Sequence, residues 1–374
     1  MPVKDLGFRR AAPALALFAG IRLLGLAVLG AWGAAAGSSA HTLLSARWDS
    51  LWYARIAAEG YGYEVVLPNG DVHSNLAFFP LLPWLERLVS AATGLSHGSA
   101  GLVVSAFAGL AAAWGVFAVA DLLYGRRAGI LAAGAWAALP VAVVQSMAYS
   151  ESLFTALAAW SLYGVLRGRW ITAGLLAAGA GLTRPVGAAV VAALWVAAAA
   201  AWGGAERPAT RLRVAAGALA APVGAAGYAL WVGARTGGGP LGYLEVQGGW
   251  GNGFDGGLAF ARFIGARLAS GAFPAGLALI AGVVLVLWLY GLCVRQRQPA
   301  PLLVYCGIVV ALALCASGYF GSKPRLLLPA FPLLLPAAVA LARWRTGRAA
   351  AVLGAAAVVS AVYGAFWLNG SGPP

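Results

Sequence analysis

The residues of this chain with the means to do chemistry are few, and they fall in short clusters. The first runs Arg47-Trp48-Asp49-Ser50-Leu51-Trp52-Tyr53 and continues through Arg55-Ile56-Ala57 to Glu59-Gly60-Tyr61. Its aromatic and apolar residues at 48, 52, 53 and 56 follow helical spacing along one face. Trp and Tyr favour the depth of a membrane–water interface. Asp49 opens that helix. Two compatible roles suit it there: an N-cap, for which Asp is favoured, or a carboxylate held at the surface as a general base. Glu151, in Tyr149-Ser150-Glu151-Ser152, stands in a similar place. A negative charge is favourable at a helix start, and Glu151 is equally a second site carboxylate. Asp49, Asp71, His73 and Glu151 also offer hard or borderline ligands for a divalent metal, although no spacing compels one.

Cations form the second group. Arg184, in Leu182-Thr183-Arg184-Pro185, follows an apolar run of about 12 residues, too short to cross a bilayer that takes about 20. It is therefore expected inside a helical bundle, where charge is expensive and marks function, unless it snorkels to the surface. Lys323 and Arg325, in Gly321-Ser322-Lys323-Pro324-Arg325, read as outward cations at the membrane edge. That position suits a lipid phosphate, or a generic headgroup contact. Arg22 lies mid-way along the first apolar run with no partner legible in the sequence.

The elements that must hold these residues are membrane helices. Of 374 residues, 61% are hydrophobic and 10% charged, against roughly 25% charged in a soluble domain. Apolar runs at about 12–34, 98–120, 128–147, 151–166, 170–182, 186–203, 212–233, 273–293, 301–318, 325–342 and 349–368 suggest about eleven spans. Lipid offers no partners for free backbone groups, so each must be helical. The expected fold class is an all-α polytopic membrane protein. The net charge of +14 resides in short basic clusters between the runs, which is how membrane topology is set and not a nucleic-acid footprint. Lys4, Arg9 and Arg10, then Arg126 and Arg127, Arg167 and Arg169, Arg207, Arg211 and Arg213, Arg295 and Arg297, and finally Arg343, Arg345 and Arg348 all fall on one side of the membrane. That side is expected to be cytoplasmic, with the amino terminus. Eight of the eleven acidic residues and all three histidines fall on the other side. Two long outer segments, about 35–97 and 234–272, carry the candidate site, and the first run reads as a retained helix. Cys293, Cys306 and Cys315 read as small apolar residues.

Taken in order, the motifs resemble a known family. Trp48-Asp49-Ser50-Leu51-Trp52-Tyr53, Phe78-Phe79-Pro80-Leu81-Leu82-Pro83, Tyr149-Ser150-Glu151-Ser152-Leu153-Phe154, Thr183-Arg184-Pro185 and Pro324-Arg325-Leu326-Leu327-Leu328-Pro329 are similar to those of the PIG-V family. These are the GPI mannosyltransferases that add the second mannose, together with their bacterial relatives. The resemblance spans about residues 47 to 332. It implies a GT-C fold across one integral-membrane domain, 1–374, a polyprenyl-phosphate-linked mannose donor, and a catalytic Asp at Asp49. An Ala-, Gly- and Arg-rich composition fits a high-GC bacterium, in whose inner membrane a glycan, glycolipid or protein acceptor is expected in place of a GPI anchor.

The chemistry is consistent with this. A polyprenyl-phosphate sugar carries a good leaving group, so its transfer needs one base for the acceptor hydroxyl and cations for the departing phosphate. Asp49, with Glu151 as a second catalytic candidate, and Arg184, Lys323 and Arg325 supply both. Trp48, Trp52, Tyr53, Asp71, His73 and Tyr149 are the expected substrate contacts. No cofactor is required. A GT-C enzyme with another polyprenyl-phosphate sugar, or a transporter or flippase of lipid-linked sugars, remains an alternative.

Overall fold

A computed structural model describes residues 7–204, 207–370 and 372. Lys4 of the first basic cluster lies outside them. The chain is almost entirely helical: α1 (Phe8–Ala35), α2 (Ala40–Ser45), α3 (Asp49–Glu59), a hairpin of β1 (Glu64–Val66) and β2 (Val72–Ser74), α4 (Leu81–Thr93), α5 (His97–Tyr124), α6 (Arg126–Ala137), α7 (Glu151–Leu166), α8 (Trp170–Gly181), α9 (Gly187–Gly204), α10 (Pro208–Ala220), α11 (Val223–Thr236), α12 (Gly242–Gly249), α13 (Leu258–Leu268), α14 (Phe273–Arg295), α15 (Ala300–Cys315), α16 (Lys323–Leu326), α17 (Leu335–Ala342) and α18 (Thr346–Leu368). The hairpin, paired antiparallel with Val65 opposite His73, is the exception to the all-α expectation.

Each apolar run of the sequence yields helix, but not one full-length helix each. Among the described residues, six helices are long and apolar enough to cross a membrane, counting 208–236 as one, and a pair bent by 72° across 320–342 would make seven. Helices α7, α8 and α15 are shorter. The run expected at 128–147 breaks after Ala137, where Pro140 cannot continue the hydrogen-bond ladder. Arg22 fills that break. Its guanidinium, buried in α1, donates to the carbonyls of Ala137 and Ala142, which gives the mid-span arginine the partner that the sequence did not show.

The same logic shapes the bend that carries Arg325. Prolines 324, 329, 332 and 336 interrupt the ladder, and neighbouring helices capture the freed carbonyls. Trp136 donates to the carbonyl of Leu328 at 3.0 Å, Tyr305 to Pro329 at 2.9 Å and Gln298 to Pro332 at 3.3 Å. Irregular backbone is tolerated at membrane depth only where protein satisfies it in this way.

Helix α5 packs along α6 and α7, α1 against α18, and α8 against α10. Small residues permit the close approaches; a Cβ on Gly217 would collide with the backbone carbonyl of Trp170. The basic connections meet at one end. Arg10 pairs with Asp121 through two contacts of 2.7 Å, Arg126 reaches the carbonyl of Arg10 at 3.3 Å, and Arg127 reaches that of Trp344 at 2.5 Å. The three cysteines are free, two of them buried.

The segment 35–97 forms the expected short helices, α3 and α4, at the opposite end. In α3, Tyr53, Ile56 and Ala57 are buried and Trp52 is half-buried. In α4, Glu86 is fully buried against Gly101 and Ala148, and its carboxylate oxygens have no hydrogen-bond partner. Burial pushes this carboxyl up to about 9, so it is neutral in the folded protein at pH 7. In the unfolded chain it ionises near pH 4.3. Stability is therefore lost as pH rises from the unfolded value through about 9. Glu86→Gln removes that loss. We expect thermal unfolding in detergent to show little change at pH 4.5 and a gain of at least ~2–4 °C at pH 8, the equivalent of ~1 kcal/mol. An equal shift at both pH values would contradict the assignment.

Candidate active site

The site begins where α3 begins. Trp48 adopts φ 51°, a left-handed conformation that is costly for a bulky residue and persists where surrounding contacts enforce it. Arg47 supplies those contacts. Its guanidinium donates to the carbonyls of Leu368 (2.6 Å) and Gly370 (3.1 Å) at the end of α18 and lies 4.1 Å over the Trp48 ring. Ser50 closes the turn, donating to the Arg47 carbonyl at 2.6 Å and accepting from the Arg47 N–H at 3.0 Å. Asp49 is thus the first helical residue and not the cap. Its N–H donates to the Tyr149 hydroxyl at 3.3 Å. Its carboxylate is turned to Arg325 Nη1 at 2.8 Å.

Three further motifs converge on this carboxylate. Glu151 is the first residue of α7, and Oε1 lies 2.5 Å from Arg184 Nη1 and 3.3 Å from Arg325 Nε. Ser150, just before it, bonds the Tyr53 hydroxyl at 2.8 Å and accepts from Arg184 Nη1 at 3.3 Å. Arg184 reaches the cluster because α8 ends at Gly181, so the chain turns inside the bundle. The Leu182 carbonyl there accepts from the Leu81 N–H at 3.0 Å, which ties the start of α4 to the same point. Arg325 also lies over the Tyr149 ring, 5.1 Å from its centre. Two guanidinium and two carboxylate groups therefore form one neutral quartet. Exposure separates its members: the side chain of Glu151 is 1% exposed, Arg325 10%, Arg184 13% and Asp49 26%. Burial raises the phenols of Tyr53 and Tyr149 above their ordinary value, so both remain protonated hydrogen-bonding groups.

Lys323 stands apart. Its ammonium donates to the carbonyls of Ala313 (2.7 Å) and Ala316 (2.8 Å) and lies over the rings of Phe260 and Phe320. It caps the end of α15, where carbonyls lack partners.

The remaining candidates border the quartet through an aromatic cluster. Tyr53 meets Phe78 edge-on at 5.2 Å, and Phe78 stacks on Trp52 at 5.6 Å. Trp52 meets Trp250 at 4.9 Å, and Trp250 stacks on His73 at 4.1 Å. Asp71 is exposed in the hairpin turn, bonded to the Asn69 amide at 2.7 Å. Trp250 is the residue that sequence reasoning missed. It comes from the segment 234–272 and is fixed by donation to the Ser74 carbonyl at 3.0 Å. Its only signal was an aromatic residue after Gly248-Gly249. The glycines matter, because a Cβ on Gly249 would strike the Val72 carbonyl. Among the described residues, no group of three or more His, Cys, Asp or Glu side chains is arranged to hold a metal ion. Asp71 and His73 are not gathered with Asp49 and Glu151.

No family model matches the chain, and no curated protein sequence does. Solved structures do. Over 90% of this chain it is similar to ArnT from Cupriavidus metallidurans bound to undecaprenyl phosphate, with a TM-score of 0.57 and 18% identity. Over 96% it is similar to the oligosaccharyltransferase AglB from Archaeoglobus fulgidus, in complex with an inhibitory peptide and a dolichol-phosphate, with a TM-score of 0.50 and 12% identity. These are GT-C glycosyltransferases, and the chain has the GT-C membrane fold. It spans 61% and 56% of those two chains.

Proposed function

We propose that this protein is an inverting glycosyltransferase that moves mannose from a polyprenyl-phosphate donor to an acceptor hydroxyl at the outer face of a bacterial inner membrane. The observation that carries the reading is the quartet: the part-exposed carboxylate of Asp49 against buried Arg325, with the half-buried Arg184 joined to the same cluster through Glu151. Asp49 accepts the proton of the acceptor hydroxyl as the acceptor oxygen bonds to the anomeric carbon. The bond from that carbon to the phosphate oxygen breaks, and polyprenyl phosphate leaves with the electron pair. Attack opposite the leaving group inverts the centre, so a β-linked donor gives an α-mannoside. Arg184 and Arg325 stabilise the phosphate, whose charge grows as it departs. Glu151, far less exposed than Asp49, holds both arginines. Trp48, Trp52, Tyr53, Tyr149 and His73, with Trp250, bound the substrate space, and Asp71 stands at its rim. Lys323 supports the helix end beside Arg325. The GT-C fold, shared with structures that carry undecaprenyl and dolichol phosphates, supports the lipid-phosphate part of this reading. The motif resemblance supports mannose.

A flippase needs two compartments, whereas a transferase works in a detergent micelle. Formation of a mannoside from polyprenyl-phosphate mannose by the protein in detergent is expected. Translocation of intact donor in vesicles, with no product in detergent, would overturn transfer. Orientation has its own test. We place the amino terminus in the cytoplasm and the site outside, because the basic connections share one end of the bundle. Single cysteines at exposed Asn69 and Thr210 should then label from opposite faces of sealed vesicles. Labelling of both from one face would contradict the placement.

A further inference from the structure

In the quartet, the proposed base and a proposed phosphate ligand are each other's partner. Asp49 Oδ2 is held by Arg325 Nη1 at 2.8 Å, so that oxygen is engaged by a cation and that nitrogen is not free for a phosphate. Both cannot serve at once in the arrangement seen. We propose that Arg325 exchanges Asp49 for the donor phosphate, so that donor binding itself frees the base, while Glu151 acts as the positioning residue that retains both arginines through the exchange. This rests on the reading of the protein as a polyprenyl-phosphate-sugar transferase.

Three observations support it. The contacts of Arg325 are ionic: Nη1 lies 2.8 Å from Asp49 and Nε 3.3 Å from Glu151, in neither case with the alignment of a hydrogen bond. Phosphate oxygens are strong acceptors for a guanidinium fork and can supply the alignment that these contacts lack. Exposure then decides which carboxylate gives way. Asp49 at 26% exposure can be rehydrated on release, whereas Glu151 at 1% cannot, and an uncompensated buried charge is strongly disfavoured. Finally, Glu151 Oε1 touches both guanidinium groups. It alone of the two carboxylates can hold Arg184 and Arg325 together when Arg325 swings its outer nitrogen to a ligand. The consequence is order: the lipid donor binds first, and an acceptor that arrives earlier meets a base still tied to Arg325.

The test is equilibrium binding of undecaprenyl phosphate to the purified protein in nanodiscs. The exchange predicts opposite signs for the two carboxylates. Asp49→Asn removes the competitor for Arg325, so binding tightens, by about three- to tenfold for a partly exposed ion pair. Glu151→Gln releases both arginines, and binding weakens by about tenfold or more. Glu59→Gln, which removes an exposed carboxylate of α3 outside the quartet, leaves binding unchanged. Unchanged or weaker binding in Asp49→Asn overturns the exchange even if Glu151→Gln fails to fold. Tightening of equal size in all three variants overturns it too, because it would mark general repulsion of the phosphate. Absence of binding to the unaltered protein refutes the lipid-donor reading and the exchange with it.

Discussion

Replacing Asp49 with Asn is expected to lower turnover about 100-fold or more, the range usual for loss of a general base, while the protein still folds and binds the lipid donor. Asn preserves shape and suits a helix start, so the substitution separates chemistry from capping. The structure sharpens the contrast, because Ser50 closes the turn before α3 and the Asp49 carboxylate faces Arg325 instead. The helix should therefore survive the change. Asp49→Glu keeps the charge but displaces it by about one bond length and is expected to be impaired as well. Initial rates with saturating donor, beside a thermal unfolding curve, measure both effects. Near-normal turnover in Asp49→Asn would remove the base from this position.

Arg184→Gln and Arg325→Gln form the second expectation. Each charged hydrogen bond to the phosphate is worth about 1.5–3 kcal/mol, so each variant should raise the apparent KM for the donor, lower kcat, or both, by roughly 10- to 150-fold in kcat/KM. The two are not independent, because both contact Glu151, and their effects should combine less than additively. Lys323→Gln is the informative contrast. Its ammonium serves the carbonyls of Ala313 and Ala316, so its loss is expected to lower stability with a small effect on donor KM. Unaltered kinetics in Arg184→Gln and Arg325→Gln together would exclude a role for these cations at the phosphate.

Much of this arrangement was legible before the structure. Hydropathy gave helices at every apolar run, because lipid leaves the backbone no alternative. The shortness of the run before Arg184 placed that arginine inside the bundle. Other features were not legible, for physical reasons. Where Pro140 and Pro329 break the ladder, helix length depends on which distant donors satisfy the freed carbonyls, here Arg22 and Trp136. Lys323 and Arg325 are two residues apart and look alike in sequence. Only the fold of the bend turns one toward Asp49 and the other toward the end of α15. Trp250 lies about 200 residues from Trp52, and no local pattern joins them. In sequence alone Glu151 reads as a second catalytic carboxylate. Its burial against two arginines instead suits it to hold them, which no spacing reveals.

The proposed activity is transfer of a sugar from a polyprenyl phosphate. The direct measurement is release of polyprenyl phosphate when the purified protein, supplied with an acceptor fraction from bacterial envelope, is offered polyprenyl-phosphate mannose and a panel of other polyprenyl-phosphate hexoses and pentoses. Release matched one-to-one by glycoside formed, fastest with mannose and lost in Asp49→Asn, is the expected result. Faster release with a different sugar would keep the chemistry and correct the donor. Recovery of every donor intact, under conditions where the protein is folded and binds undecaprenyl phosphate, would contradict it.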